Sequence, residues 1–234
     1  MTRPGGAPRR VYTAPVCRGL LLILAASPLL VPLTAAQPGN PPSAAPAGRP
    51  RDVQMTCPAQ LGVGARTKRV FCDVLIASHA DGGVMLQLPR RTGRARLVFD
   101  LHTRHTYSAE QERSPLGFLR QTATVAALTP GGDVLARAIV RAEVRREADL
   151  FDRITGGAGP SGLKAVAPAG LETVTLDVAP SVNTVSLVGE QLIVLTVRGE
   201  DVYTTPGRPV AVVSHPVLEA AGIQSRPPPG SRRR

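Results

Sequence analysis

Asp100, His102 and His105 form the run Asp-x-His-x-x-His, the best set of metal-ligating side chains along this chain. A carboxylate with two imidazoles suits a divalent transition metal. The spacing weighs against it. In a strand, alternate residues share a face, so Asp100 and His102 point together and His105 points away. Only a bend at Arg104 would reunite them. Arg94, Arg96 and Arg104 fall on the same face as Asp100 and His102 and would repel a cation. The reading is a solvated strand face, with no metal and no cofactor. His79 and His215 sit near apparent turns without a neighbouring acid or nucleophile. Triads assemble in space rather than along the chain, and no spacing here points to one.

Gly156 to Lys164, GGAGPSGLK, has the glycine density of a phosphate-binding loop. That loop needs Lys and Ser/Thr directly after its last glycine. Here Leu163 intervenes and Ala165 follows, so an ordinary glycine loop is expected. Ser161 is framed as Gly159-Pro160-Ser161-Gly162-Leu163, which lacks the second glycine of a nucleophile elbow. Catalysis at Ser161 is not expected.

Cys57 and Cys72 remain once Cys17, which precedes an apolar N-terminal run, is set aside. Two cysteines in an exported chain predict a disulfide, worth roughly 3 kcal/mol for a loop of about this length. Two cysteines without a nearby histidine do not make a tetrahedral site.

Export itself is read from the N-terminus. Arg3, Arg9, Arg10 and Arg18 precede the uncharged run Gly19 to Ala36, and small residues lead to Gln37. This is the order of a signal peptide, so residues 1–36 are expected to be cleaved after Ala36. The alternative is an uncleaved anchor with the body still outside the cytoplasm. Pro28 and Pro32 disfavour a regular spanning helix. Residues 37–51 form a Pro/Ala/Gly linker, and residues 226–234, RPPPGSRRR, form a basic tail. Both are expected to be disordered, leaving a single domain over residues 52–225.

The formal net charge of +11 suggests nucleic acid, but its distribution does not. Ten of the 28 basic residues lie in the signal, linker and tail, while all 17 acidic residues lie in the body, which is thus almost neutral. The chain has no Trp and few other aromatics for base stacking. Nucleic acid is therefore not an expected partner. The tail could make weak contact with an anionic surface, and membrane contact otherwise requires an uncleaved N-terminus.

The elements that would position these residues are strands. Val84, Leu86 and Leu88, then Leu97, Phe99 and Leu101, alternate with polar or outward residues around Pro89–Gly93, predicting a hairpin. Phe118–Thr129 and Ala136–Val144 predict a second, turning at Pro130-Gly131-Gly132-Asp133. Val174, Leu176 and Val178 mark another strand. Val182–Val188 and Gln191–Arg198 predict a hairpin at Gly189-Glu190, and Pro209–Ser214 an edge strand. Leu150, Phe151 and Ile154 suggest one short helix, and Tyr107–Gly117 a long loop. The fold class is all-β, a single antiparallel sandwich, with a small barrel as the alternative.

The expected function is a non-enzymatic macromolecular binding or envelope-assembly module, periplasmic or secreted. The partner would be an unidentified protein or cell-envelope component. The alternative is an extracytoplasmic hydrolase or metal-dependent enzyme built around Asp100, His102 and His105. A cleft gathering those residues would favour the enzyme. An exposed apolar patch or unpaired strand edge would favour binding.

Overall fold

The computed structural model describes residues 49–106, 119–157 and 162–219. Among them, twelve strands form two antiparallel sheets that face each other across one main core. The first sheet contains β1 (Arg51–Asp52), β3 (Ala59–Val63), β4 (Val70–Leu75), β6 (Ala95–Thr106), β9 (Val166–Val178) and β12 (Pro209–Glu219). Its order is β3-β4-β12-β6-β9, with β1 added on β12. The second contains β2 (Gln54–Thr56), β5 (Val84–Gln87), β7 (Leu119–Leu128), β8 (Val134–Val144), β10 (Thr184–Thr196) and β11 (Gly199–Tyr203). Its order is β2-β5-β10-β7-β8, with β11 added on β10. The architecture is a β-sandwich, not the barrel.

Alternation accounts for the core. Leu97, Phe99 and Leu101 of β6 meet Val125 of β7 and Leu187 of β10 between the sheets. A void of about 10 Å³ beside Phe99, Val125, Ala136 and Leu187 is about the space of one water, and its walls are apolar. β8 shows the pattern most plainly. Val140, Ala142 and Val144 are buried, while Arg137, Ile139, Arg141 and Glu143 are exposed. The hairpin from β7 to β8 turns where predicted. Thr129 N–H donates to Asp133 O at 2.8 Å, and Gly132 takes φ +93°, a conformation open to glycine.

Four local expectations are corrected. The strands around Pro89–Gly93 do not form a hairpin, because β5 lies in the second sheet and β6 in the first. The connection crosses between layers, held by the Arg91 guanidinium donating to Ala179 O at 2.6 Å and Val182 O at 2.7 Å. Gly189-Glu190 is not a turn. β10 runs through it with a register shift. A Cβ at Gly189 would lie 2.4 Å from Val210 Cγ2 and 3.1 Å from Leu75 O, so close approach requires the glycine. Pro209–Ser214 belongs to a longer strand at the sheet's centre rather than its edge. Pro209 is tolerated as the first residue of β12, beside another register shift. Finally, Leu150 to Ile154 is not helical. A 3-10 turn spans Glu147–Asp149, and then Leu150 and Ile154 form isolated bridges to Ala169 and Gly64. A second 3-10 turn spans Ala80–Gly82.

Cys57 and Cys72 are joined, with Cα atoms 5.7 Å apart. Cys57 lies on the connection from β2 to β3, which crosses between the sheets, and Cys72 lies in β4. The bond thus ties a crossing segment to the first sheet. Replacing both cysteines by serine is expected to lower the unfolding free energy by about 3 kcal/mol, read as an earlier midpoint in urea. An unchanged midpoint would show that the bond does not constrain the unfolded chain. A disulfide fits an oxidising, extracytoplasmic compartment. No helix among the described residues is long and apolar enough to cross a membrane. The expectations for the signal, most of the linker, the Tyr107–Gly117 loop, Ser161 and the basic tail lie outside the described residues.

Candidate functional site

β6 carries the core on one face and a polar row on the other. Leu97, Phe99 and Leu101 point between the sheets, and Asp100 and His102 point outward. The outward face is solvated at Arg94 and Arg96, as expected, but covered at Asp100 and His102. His102 is fully buried and Asp100 nearly so. Residues 150–154 and 61–71 cover it, and Leu61, Phe71, Ile154 and Val212 make a second small core there with Phe151 against it.

Two strand irregularities serve His102, one on each neighbouring strand. β9 shifts register at Gly170, which has φ +67°. A Cβ there would lie 2.8 Å from Ala142 Cβ, so both conformation and space call for glycine. The Gly170 carbonyl accepts from His102 Nδ1 at 2.7 Å. β12 shifts between Ser214 and Val217, with His215 at φ 52°. Ser214 Oγ stands 3.0 Å from His102 Nε2. The carbonyl can only accept, so Nδ1 carries the proton and Nε2 accepts from the serine hydroxyl. Burial pushes the His102 pKa below its ordinary value, although the bond to Gly170 opposes the shift. The Phe151 ring lies 4.3 Å from the imidazole centroid, and Phe71 meets it edge-on at 5.7 Å.

Ser214 and His102 thus have the hydrogen bond and tautomer of a nucleophile–base pair. A backbone carbonyl occupies the orienting position that a carboxylate holds in a triad. Asp100 is engaged elsewhere. Its Oδ2 accepts from Arg69 Nη1 at 2.7 Å and its Oδ1 from the Thr173 hydroxyl at 2.8 Å. His215 Nδ1 lies 3.7 Å from Asp100 Oδ2. Both Ser214 and His102 have 0% exposure, so neither side chain of the pair is open to solvent.

Two further carboxylates secure the cover. Asp152 Oδ1 accepts from Arg66 N–H at 3.0 Å and Arg153 N–H at 2.7 Å. Its Oδ2 accepts from Thr67 N–H at 2.9 Å and the Thr67 hydroxyl at 2.6 Å. Burial disfavours ionisation of Asp152, but these four donors outweigh it and hold the carboxyl below its usual range. Asp73 accepts from Arg104 Nε at 3.0 Å. There burial prevails over Arg104 and the pKa is raised.

The structure does not assemble Asp100, His102 and His105 as one ligand set. β6 pairs without a shift against β12 over Asp100–Thr103 and against β9 over Thr103–Thr106, so His105 is on the opposite side of the strand from His102. No group of three His, Cys, Asp or Glu that could hold a metal ion occurs among the described residues. His79 precedes the 3-10 turn at Ala80. In the glycine loop, Gly156 and Gly157 N–H both donate to Gly162 O at 3.0 Å, and the Lys164 ammonium donates to Leu61 O. That lysine braces β3. The contributions of Ser214, Gly170, Phe151 and Asp152 were not anticipated. The Phe151 and Ile154 pair was the available signal, since apolar residues beside a charged turn need a surface to cover.

The outer face of the second sheet is different. One row across its strands reads Arg141, Thr122, Ile193, Val202, and the next Glu143, Arg120, Leu195, Glu200. Val202 is 52% exposed and Ile139, on the same face of β8, 59%. Arg120 pairs with Glu143, and Arg137 with Glu190 at 2.8 Å. β11, which carries Glu200 and Val202, pairs only with β10 among the described residues.

No protein-family profile matches the chain, and no curated protein matches it. Among solved structures, the crystal structure of the infectious bursal disease virus VP2 subviral particle is similar at 12% identity and a TM-score of 0.26. The similarity covers 74% of this chain and 40% of that one, so this chain spans less than half of that protein.

Proposed function

We propose that this is an exported, non-enzymatic β-sandwich module that binds another macromolecule or supports an envelope assembly. One observation carries the reading. Ile193, Val202 and Ile139 lie on the outer face of the second sheet, two of them more than half exposed, and that face continues to an edge strand with no second neighbour among the described residues. Apolar surface of this kind, rimmed by ion pairs, is where protein partners dock. The disulfide supports placement in the periplasm or outside the cell. The partner is a protein or another cell-envelope component.

A photo-crosslinking amino acid at position 202, in the full chain in its native cell, tests the reading. It is expected to give a discrete adduct of higher mass. Leu171, 49% exposed on the first sheet, is the control position. No discrete adduct from 202, or the same adduct from 171, would overturn it.

The hydrolase alternative has one observation in its favour, the Ser214–His102 hydrogen bond. It requires Ser214 to react with a fluorophosphonate in a His102-dependent manner. Complete burial of both residues supports the opposite outcome.

A further inference from the structure

We infer that β11 is an acceptor edge for an extended, basic segment of a partner polypeptide, which joins the second sheet as an added strand. The inference rests on the binding-module reading and names its contact surface.

β11 is presented as a template. Gly199 to Tyr203 pair with Thr196 to Leu192 in unbroken register, so the strand is held straight against the sheet. Residues 199–202 are all exposed. Its outer edge has no neighbour among the described residues and no proline, lysine or bulge, and the charges with which it is guarded are the carboxylates Glu200 and Asp201. A strand added there satisfies backbone N–H and C=O groups otherwise left to water, and alternate side chains give selectivity.

The side chains name the occupant. Glu200 and Asp201 project to opposite faces of β11, and neither has an ion-pair partner among the described residues. Of the nearby cations, Arg208 stacks on Tyr203 with its guanidinium carbon 3.5 Å from the ring centroid, and Arg198 lies in the exposed turn before β11. A second copy of β11 is a poor occupant in the registers that pair the most of this five-residue strand. Antiparallel registers centred on Glu200, on Asp201 or between them each set two carboxylates directly opposite, and parallel in-register pairing does the same. Like charges directly opposite destabilise a pair. A strand with arginine or lysine opposite Glu200 and Asp201 reverses that sign. Val202 and Ile193 are neighbours on the outer face, so an apolar residue of the incoming strand adjacent to Val202 extends a contact already present.

The probe is the peptide acetyl-Thr-Val-Arg-Arg-Val-Thr-amide, whose adjacent arginines can stand opposite Glu200 and Asp201 with a valine opposite Val202, titrated into the full chain while backbone amide exchange is followed. Binding is expected to slow exchange across Gly199–Tyr203 by at least tenfold. Glu200→Gln with Asp201→Asn, both exposed and near-isosteric, is expected to weaken binding about tenfold at low salt without moving the melting temperature. The glutamate-for-arginine peptide should not bind. N-methylation at odd or at even positions, in two separate peptides, should abolish binding in one of them, because one set of N–H groups faces the edge. Binding without protection of β11, equal binding of the acidic peptide, or equal binding by the double variant would each overturn the inference. If those failures occur while position 202 still gives its adduct, strand addition is wrong and the binding reading stands. Loss of that adduct removes the binding reading itself.

Discussion

His102→Ala is expected to lower the unfolding free energy by about 4 kcal/mol, the range for truncating a buried aromatic ring. The ring fills the space under Phe151 and beside Phe71, and its two nitrogens satisfy Ser214 and Gly170. Alanine leaves a cavity together with an unpaired hydroxyl and carbonyl, each costing about 1–3 kcal/mol when buried. His102→Phe restores the volume but not the polar partners, so its loss should be smaller and nonzero. Urea unfolding of both variants separates packing from hydrogen bonding. A cost below about 1 kcal/mol for alanine would mean that the site collapses onto other partners.

The same residue imposes a pH dependence. The ordinary histidine value is 6.5, and the folded value is lower. The unfolded chain therefore takes up a proton before the folded one does. The His102 contribution is fully present above pH 6.5 and falls as pH drops through the folded pKa, by at most about 1.4 kcal/mol per pH unit. His102→Phe should remove this component from the stability–pH curve. A ring nitrogen signal that titrates at or above 6.5 in the folded protein would contradict the assignment.

Asp152→Ala ranks second, at about 3 kcal/mol, because one carboxylate satisfies three backbone N–H groups and a hydroxyl, and bonds to a charged acceptor are individually worth about 1.5–3 kcal/mol. The turn it holds includes Lys68 at φ 60°, a conformation that a non-glycine residue adopts only when its surroundings impose it. Asp152→Asn keeps one acceptor oxygen and should lose less. The acid window differs from that of His102. The folded pKa lies below the ordinary 3.8, so stability from Asp152 is present above that value and is lost as pH falls through the lower, folded one. The asparagine variant should unfold in acid without that final step. If its acid transition matches the parent's, the carboxylate does not hold the turn.

Period-two alternation made the strands legible, and the β7–β8 hairpin and the sandwich class followed from it. Alternation states which residues share a face, not which sheet holds them. That is why Val84–Leu88 and Leu97–Leu101 read as partners although they lie in opposite layers. Gly189 read as a turn because glycine permits one, while the actual reason for it, Val210 in the facing sheet, lies 21 positions away. The face of Asp100 and His102 read as wet because arginines flank it. Its cover comes from irregular chain some fifty residues downstream, joined to the turn at Arg66 and Thr67 through Asp152. Such long-range polar contacts leave no local periodicity. The disulfide was legible because only two cysteines remained to pair.

The central place of β12 has a consequence for how this chain is made. β3 with β4, and β6 with β9, can pair as soon as they are synthesised, but the sheet joins only when residues 209–219 insert between β4 and β6. A chain synthesised N-terminus first thus holds its β3–β4 and β6–β9 pairs unjoined from the completion of β9 until β12 has emerged. Pairings so distant along the sequence form slowly. The delay leaves the facing edges of β4 and β6 open to wrong neighbours, the interval in which a holding chaperone is most useful.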